Sequence, residues 1–188
     1  MRRPAPAGDA RVAAPSRLGF TLVELAIAMA VLAVLMAAGA PSFSAAIARH
    51  RLQATARHLQ ADLSLARQEA VTRGLPAHVS LQAGAQWCWA LSLGAAVDCR
   101  NARPGAFAGG RVIKVVRADA HPNITLGQAD AMVLDGRTGT RVSEPGQVLF
   151  LAAHGERLAL RLNTLGRATL CTPAGAISGV PACATPGG

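Results

Sequence analysis

RLGFTLVELAIAMAVLAVLMAAGAP, residues 17–41, sets a single carboxylate, Glu24, near the head of a run that is otherwise almost wholly apolar. From Phe20 to Ala40 only Thr21 and Glu24 are polar, and a helix of that length crosses about 30 Å of hydrocarbon. A carboxylate in lipid is costly unless it is neutralised or paired, so Glu24 is a functional candidate in want of a cation. A secretory signal peptide accounts poorly for it, because the apolar region of such a signal is usually about 7–15 residues long. Pro41, directly after the small residues Ala38-Gly39-Ala40, also disfavours a cut there. A plain membrane anchor explains the length of the run but not the acid.

Working outward, residues 1–19 hold Arg2, Arg3, Arg11 and Arg17, three prolines and one acid, without apolar periodicity. This is the pattern of a disordered, positively charged leader. Those arginines bias the N-terminus towards the cytoplasm. Arg49, Arg51 and Arg57 follow the span, but a large domain translocates largely regardless of its charge.

After Pro41 the pattern becomes amphipathic. Leu52, Ala56, Leu59, Leu63, Ala66 and Ala70 draw one stripe down a helix, with Arg49, Arg57, Gln60, Arg67 and Gln68 off it. Gly74 and Pro76 end that helix. Beyond Arg73 the period falls to two. Ala77, Val79 and Leu81 alternate with polar neighbours, and Trp87, Trp89, Leu91 and Leu93 alternate with Cys88, Ala90 and Ser92. Further strands are expected at residues 111–117, 131–135, 147–151, 157–162 and 167–171, with residues 101–110 and 135–146 as connectors. The fold class is therefore α+β: one long helix laid on an antiparallel sheet built from residues 75–171. At 188 residues the chain fits one domain with an appendage.

The formal charge is +9, and Lys114 is the only lysine. Such a balance suits an anionic partner, nucleic acid or lipid headgroups, and equally a basic chain with no such partner. The four cysteines form two local pairs, Cys88 with Cys99 and Cys171 with Cys183, and no CxxC occurs. Disulfides in an oxidising compartment are favoured over a metal site, with three connectivities open to the sequence.

The neighbours of Glu24 carry a resemblance. Gly19-Phe20-Thr21-Leu22-Val23-Glu24 after a short basic leader resembles the class III signal of type IV pilins and type II secretion pseudopilins. The resemblance implies cleavage by prepilin peptidase between Gly19 and Phe20 and N-methylation of the new Phe20 amine. It implies further that Glu24 pairs with the N-terminal amine of a neighbouring subunit during filament assembly. The helix also resembles the segment of the GspH/FimT family with a "DL..AR.EA..R" pattern, matched here by Asp62, Leu63, Ala66, Arg67, Glu69, Ala70 and Arg73. Gly166-Arg167-Ala168-Thr169-Leu170-Cys171 is similar to that family's last strand.

Membership would imply a pilin fold in four parts. These are a leader at 1–19, a transmembrane or filament-core helix at 20–40, an amphipathic half at 41–73, and a β-rich periplasmic head at 74–188 with a C-terminal disulfide loop. The expected role is a non-enzymatic minor pseudopilin or pilin, single-pass in the bacterial inner membrane before it enters the filament. Its partners would be other pilins or pseudopilins, prepilin peptidase, the inner-membrane assembly platform and the lipid bilayer.

Two alternatives come from other classes. Some FimT-type minor pilins bind DNA through Gly-Arg-x-Arg. Gly166 and Arg167 match that motif, but Thr169 stands at the second arginine position. Arg157 and Arg161 alternate with Leu158, Leu160 and Leu162, so with Arg167 they are the DNA-binding candidates, through phosphate contacts and without aromatic stacking. The other alternative is a membrane-anchored periplasmic enzyme. No GxSxG, P-loop or paired-carboxylate pattern supports it, so no catalytic residue, metal ligand or cofactor is assigned. His50, His58, His78, His121 and His154 lack metal-pair spacing and read as surface or satisfied residues, while Trp87 and Trp89 read as core.

Overall fold

The structure, a computed structural model, describes residues 19–184 apart from 145, 154 and 174–176; the side chains of residues 38–42 are also outside the described set. The expected leader, except Gly19, thus lies outside the described residues. The chain divides into two compact units, Met1–Pro41 and Ser42–Gly188.

Helix α1, Leu22–Arg73, runs through both units. In the first unit its large apolar side chains are all exposed, from Leu22 at 85% to Met36 at 63%. Among the described residues no helix is long and apolar enough to cross a membrane. The span expected at residues 20–40 includes 38–40, whose side chains are not described.

In the second unit the helix buries the expected stripe. Leu52, Ala56, Leu59, Leu63, Ala66 and Ala70 are all at most 1% exposed. Alanines at three of these positions let the helix axis come close to the sheets, and the leucines fill the space between. The stripe stops where the helix stops. Gly74 adopts φ +66°, and the Leu75 N–H donates to the Ala70 carbonyl at 3.2 Å, a Schellman closure followed at once by Pro76.

The strands are β1 Ala77–Gln82, β2 Cys88–Leu93, β3 Gly105–Phe107, β4 Gly110–Arg117, β5 Ile124–Ala129, β6 Met132–Leu134, β7 Gln147–Ala152, β8 Arg157–Leu162 and β9 Ala168–Cys171. Every pairing between these strands is antiparallel. They do not form the one sheet the sequence suggests. One sheet has the order β3-β4-β2-β1-β6 and a second the order β5-β7-β8-β9. The chain changes sheet after β4, where a 3-10 turn at Ala118–Ala120 and the left-handed Asn123 (φ 67°) redirect it before β5. Two strands, β3 and β5, are additions to the sequence reading. β3 lies within residues 101–110, which read as a connector. The alternation of β5 is broken by a bulge at Gly127, where an added Cβ would stand 2.6 Å from Leu151 Cδ1.

The two sheets and the helix enclose one main core. Trp89, Leu91 and Leu93 of β2 point into it with Phe150, Leu158, Leu160 and Leu162. The opposite face of β2 is buried too. Cys88 and Ala90 pack there with Cys99, Ala102 and Val112, under the loop closed by the Cys88–Cys99 disulfide. A second bridge, Cys171–Cys183, ties the tail to β9. Both local pairings expected from the sequence are thus present. All of these core residues fall between Leu52 and Val180, so the unit 42–188 contains its own core and both disulfides.

Candidate functional site

The head of α1 is built by its own sequence. Thr21 is the residue before the first helical turn, and its Oγ1 accepts from the Glu24 N–H at 3.2 Å while its carbonyl accepts from the Leu25 N–H at 3.1 Å. This is the Thr-side half of a Thr-x-x-Glu capping box. The threonine satisfies a backbone donor at the positive end of the helix dipole, where an acid such as Glu24 is itself favoured. Within the described residues the Glu24 carboxylate has neither a hydrogen bond nor an ion pair. Phe20 is 85% exposed, and nothing lies within 4 Å of a Cβ placed on Gly19. Gly19, Phe20 and Glu24, the cleavage, methylation and assembly residues expected from the sequence, therefore stand together and open to other molecules.

Within the unit 42–188 the family-like pattern on α1 is employed by the fold except at Arg67. Leu63, Ala66 and Ala70 are core. Glu69 accepts from Arg73 Nε at 2.6 Å, one turn along the helix. Asp62 is buried at 3% exposure, with Oδ2 accepting from the Trp89 indole at 2.8 Å and Oδ1 from Lys114 Nζ at 2.7 Å. A buried carboxylate needs both: one donor to replace water and one cation to balance its charge.

From Lys114 a chain of hydrogen bonds runs back to the helix, and its direction can be assigned. An ammonium only donates, so His58 Nε2, 2.7 Å from Lys114 Nζ, is an acceptor and the His58 proton sits on Nδ1. That proton is directed at His121 Nε2, 3.0 Å away, which places the His121 proton on Nδ1, 3.1 Å from Thr55 Oγ1. Thr55 then donates to the Arg51 carbonyl at 2.9 Å. In this arrangement every group along the chain is satisfied. His121 is held below its ordinary pKa first by burial and then by His58 and Lys114, with Asp62 opposing. The network rests against Trp87 and Trp89, whose rings stack at 5.0 Å and 7°, and the Trp87 indole donates to the Ile124 carbonyl at 2.8 Å. Sequence reasoning took the two tryptophans as core and the histidines as surface or satisfied. It did not join His58 to His121, which are 63 positions apart, and no spacing rule could have done so.

The three DNA-binding candidates do not form one cluster. Arg157 is exposed at the start of β8, about 17 Å along the strand from Leu162 at ~3.3 Å per residue. Arg161 donates from Nη1 to the Ala184 carbonyl at 2.7 Å, so the tail employs it. Arg167 follows the β8–β9 turn at Gly166 and lines a groove with Arg57 and Arg67 of α1. Thr169, opposite Arg161 in register, turns its hydroxyl to the Arg161 carbonyl at 3.4 Å.

Comparison with protein families gives two matches on this chain. Residues 15–40 match the prokaryotic N-terminal methylation motif, and residues 55–174 match the family described as type II transport protein GspH. Comparison with curated proteins and with solved structures gives no significant match. The second family match takes in the stripe of α1 from Ala56 onward, both sheets and the buried Asp62, and with the methylation motif ahead of it the chain belongs to the GspH family of pilin-like proteins.

Proposed function

We propose that the chain is a minor pseudopilin or minor pilin of a filament assembled at the bacterial inner membrane, in type II protein secretion or type IV pilus biogenesis. The carrying observation is the head of α1. There a capped helix presents a carboxylate, Glu24, that has no partner among the described residues, four residues after a Gly19-Phe20 junction on an otherwise apolar exposed surface. Cleavage of that junction by prepilin peptidase creates an amine at the same level of the membrane. A carboxylate and an amine in low dielectric attract strongly once they are apposed, so the amine of one subunit and Glu24 of the next form an assembly contact. Before assembly the segment 20–40 lies in the bilayer with the N-terminus cytoplasmic and the head periplasmic. Two disulfides in the head suit that oxidising side. The role is structural, with the inner-membrane assembly platform and other pilin-like subunits as partners.

Intact-mass measurement of the mature protein tests the reading. A chain that starts at methylated Phe20 supports it; an intact Met1 or a start at Pro41 refutes it. Glu24→Ala should leave cleavage intact and abolish incorporation beside wild-type subunits, and normal incorporation would overturn the pairing role. The major subunit that co-isolates with the assembled filament separates secretion from pilus use.

A further inference from the structure

The groove where α1 faces the β8–β9 turn has a volume of about 930 Å³ and is lined by three arginines, Arg57, Arg67 and Arg167, with no acidic residue among its lining. Several cations of the unit are tied into the fold: Lys114 to Asp62 at 2.7 Å, Arg73 to Glu69 at 2.6 Å and Arg49 to Glu156 at 3.7 Å, while Arg117 and Arg161 donate to main-chain carbonyls. Among the described residues the side chains of Arg57, Arg67 and Arg167 have no ion pair and no hydrogen bond. The groove therefore concentrates cationic charge that the fold does not use.

Its walls are fixed before any partner arrives. Gln60 Nε2 donates to the Ala168 carbonyl at 2.8 Å, tying α1 to β9. The loop opposite is closed on Asp135, whose Oδ1 accepts from the N–H groups of Arg137 at 3.0 Å and Thr138 at 2.8 Å and from Thr138 Oγ1 at 2.9 Å. Gly139 of that loop passes under the Arg67 side chain, and Gly166 packs against the Gly139 carbonyl so closely that no side chain fits. Between the charges the lining alternates uncharged polar groups, among them Ser64, Gln68 and Thr72, with the aliphatic Ala61, Ala168 and half-exposed Val71.

We infer that this groove binds an extended, carboxylate-bearing segment of a different subunit in the same filament, and the inference rests on the filament reading above. Charge complementarity selects an acidic occupant, and the aliphatic Ala61, Val71 and Ala168, with the amide of Gln68 beside them, give a polypeptide side-chain and main-chain contacts that a phosphate backbone would not use. From Arg57 to Thr72 the helix rises about 22 Å at ~1.5 Å per residue, a length spanned by about seven residues of extended chain. The occupant is not this chain. Residues 172–188 contain no acidic side chain and residues 1–19 only Asp9 among four arginines, so neither segment complements the groove. A second copy carries the same formal +9 and would be repelled.

The experiment uses the unit 42–188 and a fluorescein-labelled fourteen-residue peptide of alternating Glu and Ala, titrated by anisotropy at low salt. Binding should weaken at least tenfold in the triple variant Arg57→Gln, Arg67→Gln, Arg167→Gln. It should be unchanged in a control with equal charge loss outside the groove, Arg103→Gln, Arg111→Gln, Arg157→Gln. Absence of peptide binding by the parent, equal loss in both triple variants, or tighter groove-dependent binding of a twenty-base-pair DNA duplex would each overturn the proposal. In the full-length chain the groove variant should still give the methylated Phe20 mass but fail to enter the filament. Loss of that mass in the parent chain would instead count against the filament reading itself.

Discussion

Replacing Lys114 by methionine removes the cation from Asp62 while keeping the length and apolar stem of the side chain. Asp62 has a side chain only 4% exposed, and after the substitution its remaining direct donor is the Trp89 indole at 2.8 Å. Breaking a buried ion pair from one side costs about 3–5 kcal/mol. The Lys114 side chain is 35% exposed, so water screens part of the attraction and the expected cost falls to about 2–3 kcal/mol. For a unit of this size that lowers the melting temperature by about 4–12 °C, at ~2–4 °C per kcal/mol. The assay is urea unfolding of the unit 42–188 at pH 7.5, followed by tryptophan fluorescence. Trp87 and Trp89 are the only tryptophans and both lie against the network. Adding Asp62→Asn should recover most of the loss, because the amide can still accept from the indole and no buried charge remains. A Lys114→Met cost below about 0.5 kcal/mol, or no recovery in the double variant, would show that the pair is not what balances Asp62.

Because His121 is held below its ordinary value of 6.5, the folded unit binds fewer protons at that site than the unfolded chain does. Its contribution is full above pH 6.5 and is lost as pH falls from there through the lowered value. A protonated His121 Nε2–H would also oppose the His58 Nδ1–H, so His121→Asn should flatten the stability profile below pH 6.5, and an unchanged profile would place the titration elsewhere. Gly166 sits at φ +72°, and a Cβ there would stand 2.2 Å from the Gly139 carbonyl oxygen. Gly166→Ala should therefore cost about 2–4 kcal/mol in urea unfolding, from the left-handed backbone together with the displaced loop; a loss under ~1 kcal/mol would mean the two turns separate freely.

Periodic features of the sequence translated directly into structure. The six-residue stripe on α1 needs only the 3.6 period to be recognised, and the burial of Leu52 to Ala70 follows from it. Strands β1, β2, β7 and β8 alternate cleanly enough to be placed within a residue or two. Strand β5 was lost because Gly127 inserts a bulge that breaks its alternation, and β3 because three residues are too few to show a period. The division into two sheets depends on which edges meet after Asn123, which is a matter of tertiary packing and not of local pattern. For the site, Gly19, Phe20 and Glu24 are contiguous and were legible. Lys114, His58 and His121 come from three elements and meet only in the fold, as do Arg57, Arg67 and Arg167. Gly166-Arg167 is visible as a motif, but Arg57 and Arg67 show in the sequence only as residues off the apolar stripe.

The solitary lysine has a practical chemical consequence. Lys114 Nζ is engaged on two sides, 2.7 Å from Asp62 Oδ1 and 2.7 Å from His58 Nε2. A chain beginning at Phe20 would then offer amine-directed reagents one ready target, its own α-amine. Labelling stoichiometry would report in a single measurement how far that terminus has been unmasked and how far it has been capped by methylation, with almost no background from the head.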